Sequence, residues 1–192
     1  MQPGNSYTTW NLIRLMIVLS DNVATRMIID HLGMDRINAY LRSIGLTRTT
    51  VSDPTMLNEL PATDVNLTTP LEMAYLIRII KEGYGFSKKG SEEMLTFMRG
   101  SRYRWGIPRG IGNKAKVANK TGNLEGVYND VGLVYTNKGN YVLTIFTKDF
   151  KGKRREAREL INNISRAVYE EYTGEKIEIK SKSNVRKNIC RK

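Results

Sequence analysis

Three stretches of this 192-residue chain carry side chains able to do chemistry. Ser20-Asp21-Asn22 offers a hydroxyl, a carboxylate and an amide in consecutive positions. Lys120-Thr121-Gly122 sets an ammonium and a hydroxyl beside a residue with no side chain. Between them, "MLNELPATDVNLTTP" (56–70) gathers Asn58, Glu59 and Asp64 among prolines and threonines. A hydroxyl next to an amine can pass protons in general acid–base catalysis, and a fixed cation can hold a developing or permanent negative charge. Each stretch also has a plain structural reading. Ser, Asp and Asn are the residue types favoured at helix caps, and Lys120-Thr121-Gly122 could simply end a strand.

The elements around these stretches follow from the apolar pattern. Residues 8–19 are apolar on most faces and read as a buried helix, which Ser20-Asp21-Asn22 interrupts. Helical spacing resumes in 23–33, with Ala24, Met27, Ile28 and Leu32 on one face and Gly33 as C-cap, and again in 34–46, with Ile37, Tyr40, Leu41 and Ile44. Residues 47–69 form a loop longer than an ordinary connection, and loops of that length are often functional. A helix over 68–83 begins with Thr69 as N-cap, Pro70 at the first position and Glu72 as capping-box partner. A short helix over 88–100 and a glycine-rich loop over 101–115 follow. The pattern then changes to strands at 115–124, 127–136 and 140–149, with a hairpin turn in "TNKGN" (136–140). An amphipathic helix over 153–174 closes the series, with Leu160, Ile161, Ile164, Val168 and Tyr172 on its apolar side. Helices, three antiparallel strands and a covering helix give an α+β (α/β) sandwich.

Composition narrows the class. Hydrophobic residues make up 40% and charged residues 26%, as in a globular protein with a real core. The single cysteine, Cys190, permits no internal disulfide. "WNLIRLMIVL" (10–19) is too short and too interrupted to span a bilayer, and "MQPGNSYTT" has neither a basic start nor a cleavage site, so no export signal is expected from it. The formal charge is +12. Much of the excess falls in "KGKRREAR" (151–158) and in 176–192, which read as a solvated helix start and a basic, disordered tail, or else as a surface for nucleic acid, an anionic wall or a membrane. No zinc-finger spacing, RNA-binding aromatic motif or leucine-zipper heptad accompanies the charge, so no nucleic-acid partner is expected. His31 carries no catalytic assignment, and Trp10 and Trp105 read as packing residues.

In order and spacing, "LIRLMIVLSDNVATRMII", "LNELPATDVNLTTP" and "VANKTGNLEGVYNDVGLVY" resemble consecutive parts of the serine β-lactamase and penicillin-binding-protein superfamily, most closely its class A branch, over about Tyr7 to Tyr172. The resemblance implies acyl transfer or hydrolysis at an amide bond of a β-lactam or a cell-wall peptide, with no cofactor or metal. It implies that Lys120 and Thr121 anchor the substrate carboxylate and that Gly122 lets the substrate backbone approach the strand edge. Ser20 would relay a proton to the leaving amine, with Lys120 acting beside it as the second catalytic residue. Asn22 and Asn58 would bind substrate, and Asp21 would hold the turn. Family members usually work outside the bacterial cytoplasm, whereas this sequence itself leaves the location unknown.

Two departures shape the expectations. The superfamily's nucleophile is a serine with lysine three positions later, upstream of Ser-Asp-Asn; no serine here has lysine there, and Ser101, with Arg104 at that spacing, lies on the wrong side. Residues 1–174 are therefore expected to be a β-lactamase-like domain without its first strands and nucleophile helix, as a C-terminal fragment, an alternative start or a truncated gene product. Such a chain would be incompetent alone, and unstable unless another segment or polypeptide completes it. Class A enzymes also place a glutamate four residues before the asparagine matched by Asn58, and Pro54 stands there. That favours slow deacylation, a D,D-peptidase-type activity, or a non-catalytic ligand-binding member of the fold.

Overall fold

The computed structural model describes residues 4–53 and 65–178. Pro54, Asn58, Glu59 and the basic segment from 179 onward lie outside these residues. Seven helices and three strands follow one another: α1 (Thr9–Leu19), α2 (Asn22–Leu32), α3 (Met34–Ser43), α4 (Pro70–Glu82), α5 (Lys88–Arg99), α6 (Ile107–Ile111), β1 (Lys116–Leu124), β2 (Val127–Thr136), β3 (Gly139–Thr147) and α7 (Arg154–Thr173) among the described residues. The strands form an antiparallel sheet in the order β1-β2-β3, with Thr121 opposite Asp130 and Leu133 opposite Val142.

Alternation along β1 gives the sheet two different faces, since successive side chains point opposite ways. Val117 joins Ile107, Ile111, Ala157, Ile161 and Tyr169 in a core under α6 and α7. Ala118 instead joins Leu133 with Ile77, Ile80, Leu95 and Met98 from α4 and α5. Helices thus cover both faces, and a third cluster of Leu12, Ala24 and Ile28 ties α1 to α2. Among the described residues no helix is long and apolar enough to cross a membrane.

Three local expectations are corrected. Residues 107–111, expected within a loop, form α6; five residues are too few to show a helical period, yet Ile107 and Ile111, four apart, are both fully buried. The helix over 8–19 is not buried all round: only Leu12 is buried and Trp10 is half exposed, its ring edge-on to Phe97 at 5.1 Å. Met27 and Leu32 on α2 are exposed as well, and α3 buries no residue completely. Finally, Glu72 does not close a capping box. The Thr69 hydroxyl accepts from the Glu72 N–H at 3.1 Å, but the Glu72 carboxylate turns away, accepting from the Arg48 N–H at 2.8 Å and the Thr49 hydroxyl at 2.5 Å. It thereby fastens the start of the long loop to α4, a role that a 24-residue separation hides from any local pattern.

Gly110 sets how closely α6 approaches α7. A Cβ there would lie 2.4 Å from the Asn162 carbonyl oxygen and 2.8 Å from the Ser165 Cβ. The resulting contact is locked by the Ser165 hydroxyl donating to the Ile107 carbonyl at 2.9 Å. Gly110→Ala must push the two helices apart in a closed core, so it is expected to cost about 1–3 kcal/mol, read as an earlier midpoint in urea unfolding. An unchanged midpoint would mean that the two helices can separate freely.

Candidate active site

Ser20 sits where α1 stops. It takes a left-handed conformation (φ 51°, ψ 42°), and its N–H donates to the Leu15 carbonyl. A non-glycine residue at such a φ is uncommon and is held only when its surroundings fix it. The surroundings here are the start of α2: the Asp21 carboxylate caps that helix by accepting from the Ala24 N–H at 2.8 Å, and the Thr25 hydroxyl donates to the Asp21 carbonyl at 2.8 Å. Asn22 is the first residue of α2 and is exposed.

Lys120 comes from the middle of β1, on the face turned to the α4–α5 layer, opposite to the side occupied by Val117. Its Nζ donates to the Ser20 hydroxyl oxygen and, at 3.0 Å, to the Thr121 carbonyl. Two residues 100 positions apart are thus in direct contact. Burial pushes the Lys120 amine below the ordinary lysine range, and the Asp130 carboxylate partly opposes that shift. Thr121 alternates to the other side and is mostly buried, while Gly122 is exposed on β1, an edge strand of the three. A Cβ on Gly122 would touch only the Asn129 Cβ at 3.7 Å, an ordinary contact, so internal packing does not demand glycine there. Asn58 lies outside the described residues.

The composition-based reading missed what lies behind the strand. Asp130, fully buried on β2, accepts from the Ile107 N–H at 2.7 Å and from the Asn119 side-chain amide at 3.1 Å. Burial pushes its carboxyl up to about 7, against the pull of those two donors and of Lys120. Gly106 must be glycine for this arrangement, because a Cβ would fall 2.3 Å from an Asp130 oxygen. The Asn119 amide also donates to the Tyr103 carbonyl at 3.1 Å, and the Arg102 N–H donates to the Val18 carbonyl at 3.0 Å. Residues 101–106 therefore bridge the end of α1 and the strand that carries Lys120. The one signal in the sequence was an acid inside an otherwise apolar-alternating strand, "VYNDVGLVYT". Among the described residues no group of three or more His, Cys, Asp or Glu side chains is placed to hold a metal ion.

A hydroxyl bonded to a largely buried amine, beside an open strand edge, is equipped to pass a proton and to receive an anion. A sequence profile of the β-lactamase enzyme family matches residues 1–172. The chain belongs to the β-lactamase enzyme family.

Curated relatives in that family include β-lactamase CTX-M-4 of Salmonella typhimurium, 27% identical over 159 residues, which cover 78% of this chain and 53% of the relative. β-Lactamase OXY-2 of Klebsiella oxytoca is 29% identical over 121 residues, 60% of this chain and 42% of the relative. The chain spans about half the length of the curated relatives it matches. Among solved structures, PBP-A superposes with a TM-score of 0.81 at 30% identity, covering 91% of this chain and 65% of that one. A β-lactamase from Sphaerobacter thermophilus gives 0.83 at 28% identity, covering 90% and 66%. One mutant of PBP-A is an acyl-enzyme complex with penicillin G. The helix-and-sheet architecture is thus the β-lactamase/transpeptidase fold, as the motif order implied.

Proposed function

We propose that this chain supplies the carboxylate anchor and the proton relay of a serine hydrolase that opens an amide bond in a β-lactam or a cell-wall peptide. The observation that carries the reading is the Lys120–Ser20 contact at an open strand edge. Lys120 donates to the Ser20 oxygen, which leaves the Ser20 proton free to point at a substrate nitrogen. In the proposed acylation step, a serine of a Ser-x-x-Lys segment attacks the carbonyl carbon and the C–N bond breaks. The departing nitrogen takes the Ser20 proton, and Ser20 recovers one from Lys120 or from the base that deprotonated the nucleophile. Lys120 and Thr121 hold the substrate carboxylate, Gly122 leaves room for its backbone at the β1 edge, Asn22 binds its amide side chain, and Asn58 is a further substrate-binding residue. Burial keeps Lys120 a readier proton donor than an exposed lysine.

In this reading residues 1–174 form one β-lactamase-like unit, and the Ser-x-x-Lys segment joins it from a longer form of the chain or from another polypeptide. Within the described residues, β3 lies at an edge of the sheet, and Trp10, Val23, Met27, Leu32 and Tyr40 expose apolar surface on α1–α3, which supports a further segment packing there. The family resemblance supports an extracytoplasmic site of action. Pro54, in the position of the class A glutamate, supports an acyl-enzyme that releases product slowly, as in a peptidase-type member.

A fluorescent penicillin tests the proposal. The chain as it stands is expected to bind it reversibly, and a form carrying the Ser-x-x-Lys segment to become covalently labelled, with labelling lost when that serine is changed. Reversible binding in both forms would instead make this a non-catalytic member that only holds carboxylate ligands. Binding in neither form would overturn both readings.

A further inference from the structure

The chain from Met94 to Leu124 contains no Asp or Glu, yet it holds Arg99, Arg102, Arg104, Arg109, Lys114, Lys116 and Lys120. The fold gathers four of these cations into one place. A groove of about 710 Å³ between α6 and the start of β1 is lined by Arg104, Arg109, Lys114 and Lys116, with Pro108 and Gly112 among its other walls. All four cations are exposed, and none has a carboxylate within ion-pair distance among the described residues. Arg104 makes only long contacts, from its Nη1 to the Arg99 and Val117 carbonyls at 3.4 Å. The nearest buried acid, Asp130, is committed to Ile107 and Asn119 behind the strand. Such a concentration of uncompensated positive charge in a concave surface focuses its field outward.

We propose that this groove binds a linear phosphodiester polymer that has neither bases nor acyl chains, that is, a polyol phosphate. Charge complementarity points to phosphates, whose oxygens match arginine and lysine donors. The lining points away from the two other common polyanions. Among the described residues no aromatic side chain lines the groove, which gives nucleic-acid bases no platform there on which to stack. Its only apolar side chains are Pro108 and Ala115, which leaves nothing to insert among lipid tails. The polymer would be gripped by charge alone.

Titration of the chain with a glycerol-phosphate polymer tests this against a dT oligonucleotide and phosphatidylglycerol vesicles. With four phosphate contacts and a slope of about −0.7 per contact, affinity for the polymer should fall about 50-fold between about 50 mM and about 200 mM salt. The triple variant Arg109→Gln/Lys114→Gln/Lys116→Gln should lose most of that salt dependence and bind at least about tenfold more weakly at the lower salt. Arg104→Gln/Lys116→Gln gives an independent loss should the triple variant fail to fold. Unchanged binding by a folded groove variant would overturn the assignment by placing the contact elsewhere on this basic chain. Tighter binding to the oligonucleotide or to the vesicles than to the polymer would also overturn it.

Discussion

Changing Lys120 to alanine is expected to weaken reversible penicillin binding by about 10- to 100-fold, the worth of one charge-assisted hydrogen bond to a carboxylate. In a form competent for acylation the loss should be greater, because the same change removes the partner that sets Ser20 for proton transfer. The folded state should not suffer in parallel. Lys120 is largely buried, and burial lowers its pKa, so the native state disfavours the charged amine. Between the lowered folded pKa and the unfolded lysine value of about 10.4, the unfolded chain holds more of this proton, so stability rises with pH across that window. Alanine removes the penalty and flattens that alkaline rise. Ligand titration and urea unfolding on the same variant separate the two effects. Binding that survives in Lys120→Ala would sink the anchor assignment; binding lost together with the fold would show a structural role instead.

The second large effect belongs to Asp130. Burial raises its folded pKa to about 7, well above the ordinary aspartate value of 3.8. Between those values the native state holds a proton that the unfolded chain has released, so stability is greatest below the lower value and falls as pH rises through the upper one. The full span corresponds to on the order of 4 kcal/mol. Asp130→Asn keeps an oxygen for the Ile107 N–H and removes the titration. The difference in unfolding free energy between wild type and variant, followed from about pH 4 to about pH 8, should therefore change steadily in favour of the asparagine form. Carboxylates that gain stability with pH, such as Glu72, held low by hydrogen bonds from Thr49 and Arg48 despite some burial, contribute equally to both proteins and cancel in that difference. Parallel curves would mean that Asp130 is ionised throughout.

Asp130 also shows why part of the site escaped local reasoning. Its place in an apolar-alternating strand was visible, but its meaning depends on Gly106 leaving space and on Ile107 and Asn119 turning donors toward it. These come from segments that no local window joins. The same holds for α6, whose two buried isoleucines are recognisable as a helical pair only once α7 lies against them. Glu72 illustrates the opposite error. Its spacing from Thr69 matched a capping box, but the Arg48 N–H and the Thr49 hydroxyl, distant in the chain, offered better partners.

By itself the sequence determined the order of helices and strands apart from α6, the helix break at Ser20-Asp21-Asn22, the strand carrying Lys120-Thr121-Gly122, and through the order of these motifs the family. These are matters of residue type and period, which short-range sterics and burial translate directly into local structure. Only the tertiary structure decided that the Ser20 hydroxyl meets the Lys120 amine, that a buried acid stands behind the strand, and that four cations without an ion-pair partner among the described residues share one groove. Each of those depends on distances between residues far apart in the chain, and burial, field and hydrogen bonding become defined only when the layers close.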